Sequence, residues 1–422
     1  MLTRENRDDR SVRETNQSRV LQALKKEGPS SRTQLARITD LNPSTISRTV
    51  NDLRDLELVR EKKMAPSSGG RKPVLVDIDK DKYHVIGVDV GATKIIAAVI
   101  NLAGEIVDRV RIDIDYKQDE IVELSPEAIP DSIEKLLESY EENKSHDEYA
   151  EARIIGIGVG AHGLVDTEAG VSLFAPNFGW RDVNLQEMIE DRFSHLSIID
   201  NDVRVMALGE YWFGHGQNMD NMLCINVGYG IGSGIIFSGE LYRGHNCLAG
   251  EIGHTTVAED GPKCNCGDYG CLETLASGPA ISRQMRKRIK RGEKSLINDL
   301  IEGDLDKITG EVVYRAARKG DDVARKVLAD AGSYLGVGIA NFVNVLDPEI
   351  VLLGGGVTGA SEFFMENLKR TVSSKTMAEP PPIRRVANDV NAGVIGAGVL
   401  VLIRLFNAPR RFIKELDKPT QS

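Results

Sequence analysis

The sequence predicts an α/β protein built from a small basic helical module with a β-hairpin and a larger, two-lobed α/β body. Three observations predict this arrangement. Three short amphipathic helices and two strands fill the first 80 residues, the body repeats a pattern of strand, glycine turn and strand, and one loop of the body carries three cysteines and a histidine. The predicted domains are residues 1–16, a flexible N-terminus; 17–80, the helical module; 83–200 and 201–407, the two lobes; and 408–422, a polar tail.

Composition places the chain among ordinary globular proteins. Of its 422 residues, 41% are hydrophobic and 27% are charged, and no apolar run is long enough to cross a bilayer. The charged N-terminus shows no signal-peptide pattern, and five cysteines, an odd number, suit a reducing compartment rather than a set of disulfides. We therefore expect a cytoplasmic protein without a membrane segment.

Charge is unevenly distributed along the chain. Residues 1–72 carry 16 Lys and Arg against 10 Asp and Glu, whereas the whole chain has a net charge of −10. A basic module on an acidic body indicates that only the module faces a polyanion.

The basic module has the local signals of three helices. Ser31 and Gln34 form a capping box at the start of the second helix, and Asn42 followed by Pro43 is a typical beginning for the third. The residues expected on the buried face of the third helix lie at helical spacing: Ile46, Val50 and Leu53. Two helices joined by a tight turn, the second with a polar outer face, are the helix-turn-helix arrangement that enters the major groove of DNA.

A β-hairpin with a basic tip follows the helices. Residues 58–61 and 73–78 are typical of strands, and residues 62–72 form a flexible basic loop between them, which predicts a winged helix-turn-helix. Binding through its cations would depend steeply on salt. The alternative is a three-helix bundle that docks another protein. The residues expected to contact DNA are Ser44, Thr45, Ser47 and Arg48 on the third helix and Lys62, Lys63, Arg71 and Lys72 in the hairpin.

The loop from residue 251 to residue 273 has a metal-binding pattern. His254, Cys264, Cys266 and Cys271 follow the spacing H-x9-C-x-C-x4-C, and Zn²⁺ favours four tetrahedral thiolate and imidazole ligands. Four protein ligands leave no open position, so such a zinc ion would be structural. The alternative is a coincidence of small buried cysteines beside an unrelated histidine.

This loop resembles the signature of the ROK family, which comprises sugar kinases and sugar-responsive transcriptional repressors. The matching residues are Glu251, His254, Cys264, Cys266, Gly267, Gly270, Cys271 and Glu273. The resemblance extends over nearly the whole chain and implies a two-lobed, actin-like ATPase fold with a structural zinc loop. For a repressor of this family we expect operator DNA and a sugar effector as partners. We also expect a homodimer or a dimer of dimers, because a winged module reads a palindromic operator.

Three glycine loops of the body resemble nucleotide-binding loops, in which glycines let backbone N–H groups approach phosphate. Their residues are Asp89, Gly91, Thr93 and Lys94 in the first loop, Gly228 and Gly230 in the second, and Gly354, Gly355 and Gly356 in the third. Ala92, Tyr229 and Ser233 depart from the pattern of ROK kinases, and the ring of Tyr229 would stand where a phosphate lies. ATP and Mg²⁺ are therefore expected only if kinase activity is retained.

The resemblance also implies a sugar site. Its residues are Asn177, Asn201, Asp202, Glu251, His254 and Glu273, and Asp202 stands where the kinases carry their catalytic base. His254 would bind zinc with one ring nitrogen and a sugar hydroxyl with the other. This chain departs from the family at His162, which replaces a proline, and at Arg204, which replaces an asparagine.

Two functions follow from the resemblance. The first is a DNA-binding repressor of carbohydrate metabolism genes whose operator binding is controlled by a sugar. The winged module, which ROK kinases generally lack, favours this function. The second is an ATP-dependent, glucokinase-like sugar kinase with Asp202 as the base, and the altered phosphate loops argue against it.

Overall fold

The computed structural model describes residues 12–63, 74–115, 124–144 and 151–416 of the chain. The chain divides into two compact units. Of the described residues, unit 1 comprises 12–63, 74–115, 124–144, 151–202 and 394–416, and unit 2 comprises 203–393.

The N-terminal module of unit 1 is a winged helix-turn-helix, as predicted. The predicted capping box of Ser31 and Gln34 is present, and the side chain of Asn42 caps the third helix. Strand β3 lies between β1 and β2 in one antiparallel sheet. The elements are α1 (Val12–Glu27), β1 (Ser30–Ser31), α2 (Arg32–Thr39), α3 (Pro43–Asp55), β2 (Val59–Lys63) and β3 (Val74–Ile78).

Helix α1 begins at Val12, earlier than the predicted start at residue 17. Arg13 donates hydrogen bonds to both carboxylate oxygens of Asp52 on α3, the one from Nε at 2.6 Å. This ion pair holds the first turn of α1 although Val12 itself is exposed. The turn therefore depends on a polar contact with a distant residue, which the apolar pattern of α1 does not reveal.

The body of unit 1 contains a five-stranded sheet in the order β11-β7-β4-β5-β6. Strands β4, β5 and β6 follow one another in the chain and pair antiparallel. Strand β7 pairs parallel with β4, and β11 pairs parallel with β7. The elements are β4 (Tyr83–Gly91), β5 (Lys94–Asn101), β6 (Ile106–Asp113), α4 (Ala128–Lys144), β7 (Arg153–Ala161), β8 (Leu164–Asp166), β9 (Val171–Ala175), β10 (Trp180–Asn184), α5 (Leu185–Phe193) and β11 (Ser197–Asn201).

Unit 2 contains a second five-stranded sheet, in the order β14-β13-β12-β15-β16. Three antiparallel strands are again followed by two parallel ones, so the two sheets share one topology and the predicted internal repeat is confirmed. The elements are α6 (Asp202–Phe213), whose first residue closes unit 1, β12 (Met222–Val227), β13 (Ile231–Phe237), β14 (Glu240–Tyr242), α7 (Glu273–Ala276), α8 (Gly278–Lys290), α9 (Ile297–Leu300), α10 (Gly310–Arg318), α11 (Asp322–Leu346), β15 (Ile350–Gly354), α12 (Ser361–Lys375) and β16 (Ile383–Arg385).

The chain returns to unit 1 through α13 (Ala392–Asn407) and α14 (Pro409–Leu416). Helix α13 packs closely on β4 and β7: a Cβ atom added to Gly87 would lie 2.0 Å from the carbonyl oxygen of Val394, and one added to Gly158 would lie 1.8 Å from that of Ala397. Glycine is therefore required at both strand positions.

Helix α14 occupies part of the segment 408–422 that was predicted as a polar tail. Its Phe412 and Ile413 are buried, and it packs against α1. In the described part of the chain no single helix is long and apolar enough to cross a membrane. Helices α13 and α14 pass that test only as a pair, across a bend of 109°, and most of α13 is buried in the core of unit 1.

Candidate functional site

A candidate metal centre lies in unit 2. One donor atom from each of its four residues, His254, Cys264, Cys266 and Cys271, lies within 4.8 Å of the others. The Sγ atoms of Cys266 and Cys271 are 3.7 Å apart, and Sγ of Cys264 is 3.6 Å from Nδ1 of His254. Tetrahedral bonds of about 2.3 Å to zinc would separate two sulfurs by roughly 3.8 Å. The four predicted ligands therefore form a site that could hold a metal ion.

The backbone folds tightly around this centre. His254 ends a short 3₁₀-helix, Ile252–His254, and the backbone N–H of Cys264 donates to the carbonyl oxygen of Asp268 at 2.7 Å. Gly270 has φ of 66°, and a Cβ atom there would lie 1.6 Å from the carbonyl oxygen of Ala258. A glycine is therefore needed for the loop to bring Cys271 beside the other two cysteines.

The protonation chemistry of the cluster favours a bound cation. Burial, together with the neighbouring thiols of Cys266 and Cys264, raises the pKa of Cys271 to about 12. The backbone N–H of Asp268 lowers the pKa of Cys266, and burial raises that of Cys264. Ionisation of all three thiols at this distance is unfavourable because the thiolates repel one another, unless a bound cation neutralises their charge.

Asp202 is at the centre of a polar group in unit 1. Its Oδ1 accepts a hydrogen bond from Nδ2 of Asn201 at 2.9 Å, and its Oδ2 lies 3.4 Å from Nδ1 of His162. The other ring nitrogen of His162 lies 2.8 Å from Nδ2 of Asn177. Three predicted sugar ligands, Asn177, Asn201 and Asp202, are therefore brought together. The fourth member, His162, was noticed in the sequence only as a departure from the family pattern.

Asp89 is half-buried in the same unit, near the end of β4. Burial and the negative charge of Asp202 raise the pKa of Asp89 to about 7, and Lys94 opposes the shift. Gly91 pairs with Lys94, so Ala92 and Thr93 form the tight turn between β4 and β5. The first predicted phosphate loop is thus a two-residue hairpin turn. It follows Asp89, whose carboxylate is close enough to that of Asp202 to feel its charge.

Replacing Asp89 with asparagine is expected to flatten the pH dependence of stability. Because the folded-state pKa lies above the unfolded value of about 3.9, the folded protein keeps a proton that the unfolded chain loses between roughly pH 4 and pH 7. The free energy of unfolding therefore falls as pH rises through that window. At pH 8 the Asp89→Asn variant should be more stable than the wild type, by up to about 4 kcal/mol.

Chemical denaturation at pH 4.5 and pH 8 measures this effect. Asp191→Asn, at an exposed position of the same unit, is the control and should follow the wild type. Equal pH dependence in the wild type and Asp89→Asn would show that Asp89 does not carry the linkage.

The other predicted sugar ligands lie in unit 2. Nε2 of His254 is 4.0 Å from Oε2 of Glu251, while Nδ1 of His254 faces the cysteines. The two ring nitrogens therefore face different groups, and the sugar contact of Nε2 stays a prediction. The carboxylate of Glu273 faces the second glycine loop: its Oε2 accepts a hydrogen bond from the backbone N–H of Ile231 at 3.0 Å, and a Cβ atom on Gly230 would be 2.6 Å from it.

The glycine loops of unit 2 lie beside one another. Gly228 accepts a hydrogen bond from the N–H of Gly278 at the start of α8. Gly355 has φ of 90°, and a Cβ atom there would lie 2.5 Å from the carbonyl oxygen of Val227. The carboxylate of Glu273 occupies the N–H of Ile231, the residue after the second loop, and its negative charge would repel phosphate there. Together with the replacement at Tyr229, this contact argues against phosphate binding at the second loop.

The candidate DNA-binding surface is the N-terminal half of α3. Ser44 and Arg48 are exposed, and Thr45 and Ser47 are half-buried. The hydroxyl of Ser47 donates to the carbonyl oxygen of Pro43 at 2.9 Å. In the hairpin, Nζ of Lys62 pairs with Asp77 at 2.8 Å. The side chain of Lys63 and the whole of Arg71 and Lys72 lie outside the described residues.

Two charged residues of α6 are buried in unit 2; the sequence singled out Arg204 only as a departure from the family and did not single out Glu210. Arg204 is only 3% exposed, and its Nη2 donates to the carbonyl oxygen of Cys247 at 3.1 Å. Glu210 is fully buried and accepts hydrogen bonds from the backbone N–H groups of His215, Ala387 and Asn388 at 3.0–3.1 Å. Both residues lie on the apolar helix α6. The only hint in the sequence is that a charged residue stands at a position where the helix is expected to be buried.

Comparison with known proteins agrees with both parts of the fold. The ROK family matches residues 85–404, and the MarR family matches residues 13–68. A solved structure described as a ROK family transcriptional regulator, a homolog of the Escherichia coli MLC protein, superposes with a TM-score of 0.80. It is 27% identical and covers 96% of this chain and 99% of its own.

Two curated relatives differ in how much of this chain they match. The xylose repressor of Caldicellulosiruptor bescii is 31% identical over 367 residues, which are 86% of this chain and 89% of that repressor. The glucokinase of Halalkalibacterium halodurans is 38% identical over 328 residues, which are 76% of this chain and 95% of that glucokinase. The matches therefore include both a regulator and an enzyme.

Proposed function

This chain belongs to the ROK family, and from that premise we propose that it is a DNA-binding transcriptional repressor that responds to a sugar. The observation that carries the proposal is the winged helix-turn-helix, with α3 capped by Asn42 and its polar face exposed at Ser44 and Arg48. A kinase has no use for such a module, whereas a repressor needs it to read the major groove.

The sugar is the effector in this proposal, and Asn177, Asn201 and Asp202 are its ligands in unit 1. Amide and carboxylate groups suit this role because they hydrogen-bond adjacent hydroxyls and reject analogues that lack them. Glu251, His254 and Glu273 stay predicted ligands in unit 2. The sugar controls operator binding through its different affinities for the DNA-bound and the free protein.

Zinc is the metal we propose for the cluster of His254, Cys264, Cys266 and Cys271. Three thiols and one imidazole are the donor set that Zn²⁺ prefers, and they fill its tetrahedral shell. The ion would hold the loop that carries His254 and would orient the imidazole. The proposal further includes a homodimer, because two modules are needed to read a palindromic operator.

A gel-shift titration tests the proposed function. Purified full-length protein should retard DNA from upstream of its own gene, and one member of a panel that includes D-xylose and D-glucose should release it. Retardation should weaken steeply as salt rises, because Lys and Arg displace counterions from DNA. Failure to retard this DNA at low salt, with every sugar and without one, would contradict the proposal.

A sugar kinase is the second candidate, and the 38% identity to a glucokinase favours it. Asp202 would be the base that accepts the proton of the attacking hydroxyl. Against it stand the carboxylate of Glu273 on the backbone N–H of Ile231 and the two protein groups beside the Asp202 carboxylate. A coupled assay of ATP consumption with the same sugars separates the candidates, since only a kinase consumes ATP when a sugar is added.

A further inference from the structure

His162 lies between two predicted sugar ligands that are distant in the chain. It follows strand β7, Asn177 lies in the turn between β9 and β10, and Asp202 begins α6. The ring reaches both: Nε2 is 2.8 Å from Nδ2 of Asn177, and Nδ1 is 3.4 Å from Oδ2 of Asp202. The imidazole of His162 therefore bridges an amide and a carboxylate.

The donors and acceptors of this bridge are consistent with one arrangement of protons. The amide of Asn177 donates to Nε2, so Nδ1 carries the ring hydrogen and points it at the carboxylate of Asp202. On the other side, Nδ2 of Asn201 donates one hydrogen to Oδ1 of Asp202 at 2.9 Å and the other to the carbonyl oxygen of Gly163 at 3.0 Å. Protein donors therefore face both oxygens of Asp202.

Aromatic packing holds the bridging ring in place. His162 meets Phe178 edge to face, with ring centroids 5.9 Å apart, and Phe178 packs on Trp180 at 5.0 Å. Nε1 of Trp180 donates to the carbonyl oxygen of Leu124 at 2.6 Å. Phe178 and Trp180 are each 4% exposed, whereas the side chain of His162 is 22% exposed. The ring is thus fixed on one side and reaches solvent on the other.

We propose that His162 is the positioning residue of the sugar site, an inference that rests on the proposed function. Its ring fixes the carboxylate of Asp202 and the amide of Asn177 relative to each other. Asn177 then presents its Oδ1 and its second N–H, and Asp202 presents its carboxylate, to neighbouring hydroxyls of a neutral sugar. The same bridge directs a donor at Asp202 and holds its carboxylate in one orientation as a ligand.

Two substitutions separate positioning from packing. His162→Leu fills the space without polar atoms, whereas His162→Gln keeps one acceptor for Asn177 and one donor for Asp202. Calorimetric titration of the full-length protein with D-glucose and D-xylose should show sugar affinity at least about 10-fold weaker in His162→Leu, because two polar ligands lose their partner. In His162→Gln the affinity should recover to within about 3-fold of the wild type.

His195→Leu is the matched control. His195 lies in the same unit, and its Nδ1 is hydrogen-bonded to the carbonyl oxygen of Phe193, two residues away, rather than to a predicted sugar ligand. Thermal unfolding shows whether each variant is folded. If His162→Leu does not fold, His162→Asn replaces it, because its side chain is too short to bridge both partners. Equal affinity of the wild type and either bridge-breaking variant, or no rescue by glutamine, would overturn the role of His162.

Direct titration with sugar also keeps this inference separate from the proposed function. A wild type that binds a sugar but no DNA contradicts the repressor and leaves the role of His162 to be decided by the variants. A wild type that binds no sugar of the panel used in the gel-shift titration overturns both the response to a sugar and the role of His162. A wild type whose operator is released by sugar, with His162→Leu equally responsive at the same concentrations, overturns the role of His162 alone.

Discussion

Replacement of Cys271 by serine is expected to release the proposed zinc ion and to lower the free energy of unfolding of unit 2 by roughly 3 kcal/mol or more. Cys271 is fully buried, and its Sγ lies 3.7 Å from that of Cys266. A serine hydroxyl is a poor ligand for zinc, so three ligands would remain around an ion that needs four.

The loss of stability in Cys271→Ser should extend beyond the metal-binding loop. Strand-like bridges join Thr256 to Cys271 and Lys263 to Tyr269, so the backbone around the cluster is one connected unit. Leu272, next in the chain, is fully buried in the core of unit 2, where its side chain meets Gly338 of α11. Loss of the ion therefore removes the anchor of a core residue as well as the orientation of His254.

Metal analysis and thermal unfolding measure the effect. The wild type should hold one zinc ion per chain after dialysis, and Cys271→Ser should hold clearly less and unfold at a lower temperature. Cys247→Ser is the control, because Cys247 lies outside the cluster. A wild type that retains no metal after growth with zinc, or a Cys271→Ser variant that retains a full equivalent, would disprove the assignment.

The sequence was most informative where function depends on neighbours in the chain. The four predicted metal ligands fall within 18 residues, and the caps of α2 and α3 are contacts over three residues, so spacing along the chain is enough to predict both features. The central strands of the two sheets were also predictable, because β4, β5, β12, β13 and β15 carry apolar runs next to glycine turns. In these cases local chemistry and tertiary structure agree.

Contacts between distant residues were not predictable from one sequence. Asp202 meets His162 across 40 residues, and Glu210 accepts hydrogen bonds from Ala387 and Asn388 across 177 and 178. No spacing rule covers such pairs, since loop closure brings them together only in the folded chain. The motif of Glu273 predicts a sugar ligand but not the hydrogen bond that its carboxylate accepts from the backbone N–H of Ile231, and its role as a sugar ligand stays a prediction.

Replacement of Arg48 by alanine is expected to weaken operator binding by about 10- to 100-fold, the loss typical of one specific arginine contact. Arg48 is exposed on the polar face of α3, opposite the fully buried Ile46, Val50 and Leu53. An N-terminal position on the second helix of a helix-turn-helix faces the base edges or the flanking phosphates. Its loss therefore removes affinity without disturbing the core of the module.

The salt dependence of binding identifies what Arg48 contacts. Fluorescence anisotropy over a series of salt concentrations should show a slope smaller by about 0.9 if the residue neutralises a phosphate, and an unchanged slope with relaxed sequence preference if it binds a base. Arg54→Ala, on the exposed last turn of the same helix, is the matched control. Lys62→Ala should have a smaller effect, because Lys62 must first leave Asp77 to reach DNA. If Arg48→Ala binds the operator as tightly as Arg54→Ala, the N-terminal half of α3 is not the recognition surface.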